Sequence, residues 1–241
     1  MTGAGRLPRL RALVEVLLVA WLGKYLVTRG VLVGAGDVAF FGWIFEGDQE
    51  LLASAVARSI AVWVIYLGSL ALLFRSRIIR DLFANLLEPA ARPGWIFAAI
   101  TAGMQITILT AFYIRDVSLI WEPSLFNLYM SLGTATGGGV GEELLYRGYI
   151  VTRLRAGGLS PAVQLLVSGA LFGLAHASWS AAQSGAGLVQ VLSPVVGTFL
   201  LGALFARAFQ LSGYRLLPVV IGHGAINLVI EPALILSYFT G

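Results

Sequence analysis

The chain has 241 residues, 58% of them hydrophobic and only 12% charged, whereas soluble domains carry about 25% charged residues; with a mean hydropathy of +0.86, it reads as an integral membrane protein. The net charge of +4 comes from arginines set in loops, not from a basic face interleaved with aromatics, so nucleic-acid binding is excluded as a role. The lack of cysteine excludes disulfides, thiolate catalysis and cysteine metal sites.

At roughly 20 apolar residues per span, the length predicts an all-α, polytopic membrane protein of about seven to eight transmembrane helices, with no room for a soluble second domain. Residues 1–241 are expected to form one membrane domain, with N-terminal spans over 1–120 and a catalytic core over 125–230. Arg6, Arg9 and Arg11 precede a first apolar run over about 12–33 that contains Glu15, Lys24 and Arg29; without an evident small-residue cleavage site, it is expected to be a retained helix. Glu15 and Lys24 receive no partner from their spacing. The loop over 34–50 is acidic. A second span covers about 51–74, where Arg58 reads as a snorkelling or paired residue.

A basic loop over 75–93 leads to a third span, about Trp95–Ile114. The glycine-rich run Gly133–Gly141 follows, a poor lipid-facing helix because each glycine costs about 1 kcal/mol relative to alanine, and irregular backbone is expected there, buried or lining a wet cavity. It opens directly into Glu142, Glu143 and Arg147. Ser160-Pro161 caps a fifth span over 161–178, a sixth runs over 187–206, and Arg207 and Arg215 bracket a turn at Gly213. Pro218 opens a seventh span, Glu231-Pro232 reads as a solvated end, and residues 233–239 form a separate short apolar segment. Basic and non-basic loops alternate in the order that places the N-terminus in the cytoplasm. No internal repeat is found, which weakens a transporter reading.

Three ionisable groups within six residues at bilayer depth demand compensation, since each costs roughly 2.5–3.5 kcal/mol there. On an α-helix Glu143 and Arg147 share a face and pair, while Glu142 points about 100° away and stays available for chemistry. The chain has two histidines, His176 and His223, both in predicted spans. Phe172 with His176 and His223 with Asn227 repeat the four-residue spacing. Three helices thus offer a polar pocket between the C-terminal helices holding a carboxylate, two imidazoles and an amide, the parts for activating water against a carbonyl and holding the oxyanion.

The motifs Glu142-Glu143-x-x-x-Arg147, Phe172-x-x-x-His176 and His223-x-x-x-Asn227, in this order on successive apolar helices, resemble those of the CPBP family, the intramembrane CAAX prenyl proteases and their bacterial relatives linked to bacteriocin processing and immunity. The match spans about residues 130–230, and the glycines over 137–141 are a departure from the pattern. The resemblance implies an enzyme that hydrolyses a peptide bond in a membrane-associated substrate, prenylated, leader-bearing or C-terminally anchored, in a bacterial or archaeal cytoplasmic membrane. By position, Glu142 is then the general base and His176 positions or protonates the water. His223 and Asn227 bind the oxyanion, and Glu143 with Arg147 holds the helix, with Arg147 closer to Glu143 than to Glu142.

The metal question stays open at this level. Glu142, His176 and His223 could complete a zinc or other divalent site with an open water position, although the His-Glu-x-x-His motif is absent; no cofactor is the favoured reading. Beyond the bilayer and a peptide substrate no partner is implied, and nucleic acid is not one. Two other classes remain: a non-catalytic scaffold or bacteriocin-immunity protein on the same fold, and a proton-coupled transporter built on the same buried Glu, Arg and His.

Overall fold

The computed structural model describes residues 6–23, 26, 27, 44, 46–73, 82, 85–112, 114, 124–181 and 187–239. Its elements are all helical, as lipid requires of segments that must satisfy their own backbone. In chain order they are α1 (Arg6–Leu17), running on into a wider i→i+5 bonded segment π1 (Leu18–Gly23), α2 (Asp48–Leu73), α3 (Arg92–Phe112) and α4 (Leu125–Thr134). Then come π2 (Ala135–Glu142), π3 (Leu144–Val151), α5 (Thr152–Ala156), α6 (Pro161–Ala181), α7 (Leu188–Leu211) and α8 (Leu217–Phe239). By length and composition, Gln49–Leu72, Arg92–Phe112 and Leu192–Leu211 can each cross a membrane; Pro161–Ala177 and Leu217–Ala233 are shorter apolar helices. The far end of the expected first span and most of the loops over 34–50 and 75–93 lie outside the described residues.

Two elements differ from expectation. The glycine-rich run is helical, wound in the wider π form on either side of Glu143; π turns usually occur singly and often at functional sites. Residues 233–239 continue α8 instead of forming a separate segment. Pro232 removes one backbone bond, yet the helix carries on to Phe239.

The chain divides into two compact units. The first comprises Met1–Gly23, Asp81–Thr101 and Leu144–Val219; the second comprises Lys24–Arg80, Ala102–Glu143 and Val220–Gly241. In the first, α6 packs on α7 through small residues: a Cβ at Gly173 would lie 2.6 Å from the Val195 carbonyl oxygen, and one at Gly169 2.9 Å from that of Phe199. Glu15 of α1 has partners its own helix could not supply. Its carboxylate accepts two 2.7 Å bonds from Arg153 and one of 2.9 Å from the Tyr149 hydroxyl, fixing α1 to the end of π3. The turn after α7 takes left-handed backbone at Gly213 and Tyr214 (φ 79° and 64°), and the Arg155 guanidinium sits 3.8 Å from the Tyr214 ring centre.

In the second unit, Ala53 and Val56 of α2 pack on Phe126 and Met130 of α4, and the Tyr129 hydroxyl donates to the Ala53 carbonyl at 2.8 Å. A further cluster joins Ile114 to Ile230 and Ala233 of α8.

Candidate active site

In the second unit the glycine run is a two-faced spacer. Gly133, Gly137 and Gly141 face α2, where a Cβ at Gly141 would come 2.7 Å from the Trp63 ring and one at Gly137 3.3 Å from Ile60. Gly138 and Gly139 face α8. A Cβ at Gly139 would stand 2.8 Å from Gly224 Cα, and one at Gly138 2.6 Å from the Asn227 amide nitrogen. Any side chain larger than hydrogen at Gly139 therefore pushes the α8 backbone away. This approach also brings the Asn227 amide to the Thr134 carbonyl, to which it donates at 3.1 Å.

The same contact delivers the carboxylates to His223. Glu143 is fully buried, and His223 and Asn227 are each 5% exposed. Glu143 Oε1 lies 2.8 Å from His223 Nδ1. An ionised carboxylate only accepts, so Nδ1 carries the proton of this bond. Nε2 stands 3.9 Å from Oε2 of Glu142, which is half-buried, too far for a direct hydrogen bond but a gap that one water touching both atoms can bridge. The buried carboxylate orients the imidazole while the second carboxylate faces its other nitrogen. The amide of Asn227 has two N–H donors, and the bond to Thr134 uses one.

Glu231, expected to be solvated, is partly enclosed instead. It follows His223 and Asn227 at the same four-residue spacing on α8, is half-buried, and feels the charges of both Glu142 and His223. The spacing was the signal, obscured by the proline that follows.

The first unit holds Arg147, Phe172 and His176. Arg147 of π3 is fully buried. It donates to the Gly202 carbonyl at 2.9 Å, and its guanidinium carbon lies 4.9 Å from the Phe172 ring centre and 5.7 Å from that of Phe205. Phe172 is thus a packing residue and a cation partner, stacked edge-on against Tyr146 at 5.0 Å. The His176 Nδ1–H donates to the Phe172 carbonyl at 2.8 Å, one turn back on its own helix; a carbonyl cannot donate, so this nitrogen carries the proton. Glu143 and Arg147 belong to different units. Among the described residues, no group of three His, Asp or Glu side chains stands together as metal ligands.

Residues 123–229 match the family model described as type II CAAX prenyl endopeptidase Rce1-like. That stretch contains all three motifs and both histidines. Over this stretch, less than half of the 241 residues, the chain is similar to that family. That family is one of proteases, and the apolar helices of this chain are those of an integral membrane protein. Comparison of the chain with curated proteins and with solved structures finds no match. The Rce1-like stretch begins two residues ahead of α4 and ends between Asn227 and Glu231, so Glu231 lies outside the matched region.

Proposed function

We propose that the protein is an intramembrane endopeptidase in which Glu142 activates water against a peptide bond of a membrane-associated substrate. The observation that carries this is the arrangement of Glu142, Glu143 and His223, with 2.8 Å from Glu143 to one imidazole nitrogen and 3.9 Å from Glu142 to the other. Glu142 takes a proton from water as the water oxygen bonds to the carbonyl carbon. The developing oxyanion accepts from the second Asn227 N–H. His223, protonated at Nε2 and stabilised by the Glu143 carboxylate at Nδ1, is a second donor. The C–N bond then breaks as the proton held by Glu142 passes to the leaving amine, which balances the step. The sequence pattern of the family, and that alone, assigns His176 to positioning the water.

The reading includes substrates that are lipidated, leader-bearing or C-terminally anchored, held with the cleaved bond at membrane depth. It uses no metal. The test is cleavage of a panel of membrane-anchored peptides, including a prenylated CAAX tail, by purified protein with and without a strong chelator. Glu142→Gln lowers turnover by about 10²–10⁴-fold, the span of general base catalysis, and chelator has no effect on the wild type. Cleavage that survives in Glu142→Gln overturns the assignment; chelator-sensitive cleavage restored by zinc replaces it with a metal mechanism.

A further inference from the structure

The first unit contains a cavity of about 340 Å³ lined by Leu7, Pro8, Arg11, Arg153, Ala156 and Gly157, remote in sequence from the carboxylates and unused by the proposed hydrolysis. Its wall depends on Gly157, where a Cβ would lie 2.6 Å from that of Ala12 and 3.3 Å from the Pro8 carbonyl oxygen; the close approach of α1 to the turn after α5 thus needs glycine. Two guanidinium groups line it in different states. Arg153 is locked by two 2.7 Å bonds to Glu15, which neutralise it as a charge but leave it 30% exposed and fixed in direction. Arg11 is exposed and, among the described residues, makes no hydrogen bond or ion pair. With Glu15 answering Arg153, the cavity keeps one net positive charge and a set of unused guanidinium donors.

The surface beside it names the occupant. Leu7, Leu10, Val14 and Leu17 recur along one face of α1 and are 74%, 62%, 46% and 50% exposed. In a membrane protein such a stripe lies against acyl chains. A phosphate between two arginines with hydrocarbon immediately alongside is the chemistry of an anionic glycerophospholipid, and basic pockets at helix ends are where such headgroups settle. We infer that the cavity between α1 and the α5 turn binds the phosphate of an anionic phospholipid, with Arg11 as the mobile clamp, Arg153 as the fixed one, and the lipid chains along Leu7, Leu10, Val14 and Leu17. The inference does not depend on the protein being a protease.

The experiment is thermal unfolding of delipidated full-length protein in mixed detergent micelles carrying phosphatidylglycerol or phosphatidylcholine, or in detergent with inorganic phosphate. A ligand bound only by the folded state raises the melting temperature by mass action. The wild type is expected to melt higher with phosphatidylglycerol, and to be unmoved by phosphatidylcholine or by phosphate. Arg11→Gln removes a guanidinium whose charge reaches Glu15 only through space, leaves both Glu15–Arg153 hydrogen bonds in place, and weakens apparent phosphatidylglycerol affinity by about tenfold or more while melting close to wild type in phosphatidylcholine. Ala156→Trp fills an exposed part of the cavity without changing charge and has the same effect, so a folding defect in one variant leaves the other decisive. An unchanged phosphatidylglycerol shift in both variants overturns the site. Equal shifts with phosphatidylcholine overturn the anionic headgroup, and a matching shift with phosphate alone makes the cavity a free-anion site, not a lipid one.

Discussion

Two of the glycine contacts in this molecule set helix against helix, one where α6 packs on α7 and one where π2 packs on α8. The two contacts are equally close: a Cβ at Gly173 would lie 2.6 Å from a backbone oxygen, and one at Gly139 2.8 Å from a backbone carbon. Small residues at helix contacts are ordinary glue in lipid, where there is no hydrophobic drive between helices. What differs is the cargo. Beside the first contact stand rings and a buried guanidinium, Phe172, Phe205 and Arg147; beside the second stand two carboxylates and an imidazole. One is therefore read as a clamp for stability and the other as a clamp that sets the reacting groups, a distinction that mutation can break.

The largest expected effect falls on the second contact. His223→Ala removes the ring that Glu143 orients and the donor that Glu142 faces, and is expected to lower kcat/KM for peptide cleavage by about 10²–10³-fold, the cost of losing one oxyanion donor. The folded yield should fall much less than turnover, measured by gel filtration and circular dichroism. Activity near wild type would move the chemistry away from α8. On the first contact the balance reverses. Arg147→Ala leaves the Gly202 carbonyl without its donor and opens a cavity among Tyr146, Phe172 and Phe205, so a loss of about 2–4 kcal/mol in unfolding free energy is expected. Arg147→Lys should not rescue it, because an ammonium cannot stack flat on rings while reaching the carbonyl. Full rescue by lysine would mean that charge alone matters there.

A matched pair of smaller changes tests the comparison directly. Gly139→Ala and Gly173→Ala each insert a methyl against backbone and should each destabilise by about 1–3 kcal/mol, the usual cost of overpacking. Only Gly139→Ala is expected to reduce turnover per folded molecule, because it displaces α8 from π2 and with it His223 from Glu142 and Glu143. Equal specific activity of the two folded variants would show that the closeness of π2 and α8 does not set the chemistry.

Much of this was legible in the sequence, for identifiable reasons. The all-helical class follows from composition, and two of the motifs contain Glu142, Glu143, His223 and Asn227 of the second contact. Partners were harder. Glu143 sits eighty residues from His223, and no spacing rule reaches across that distance. The glycine run read as poor helix because propensity counts each residue alone in water; the structure uses the missing side chains to fit Trp63 on one face and Gly224 on the other. Glu231 read as a solvated end because Pro232 was taken as a terminator, but α8 passes through it. Glu15 could not be assigned because Arg153 is 138 residues away.

The smallest expected effect isolates distance from identity. Gly197 lies on α7, the helix that also carries Gly202, but a Cβ there would meet nothing within 4 Å, whereas one at Gly202 would lie 3.0 Å from Phe172 Cβ. If the glycines of the first contact matter only through the space they leave, Gly197→Ala should relieve the backbone entropy cost of glycine and stabilise by about 0.5–1 kcal/mol, with cleavage unchanged. Thermal unfolding in a fixed detergent measures the first and the peptide assay the second. Should Gly197→Ala destabilise as much as Gly173→Ala, closeness within the chain would not be what makes α7 glycine-rich, and its exposed face would have to be packing against something outside this chain.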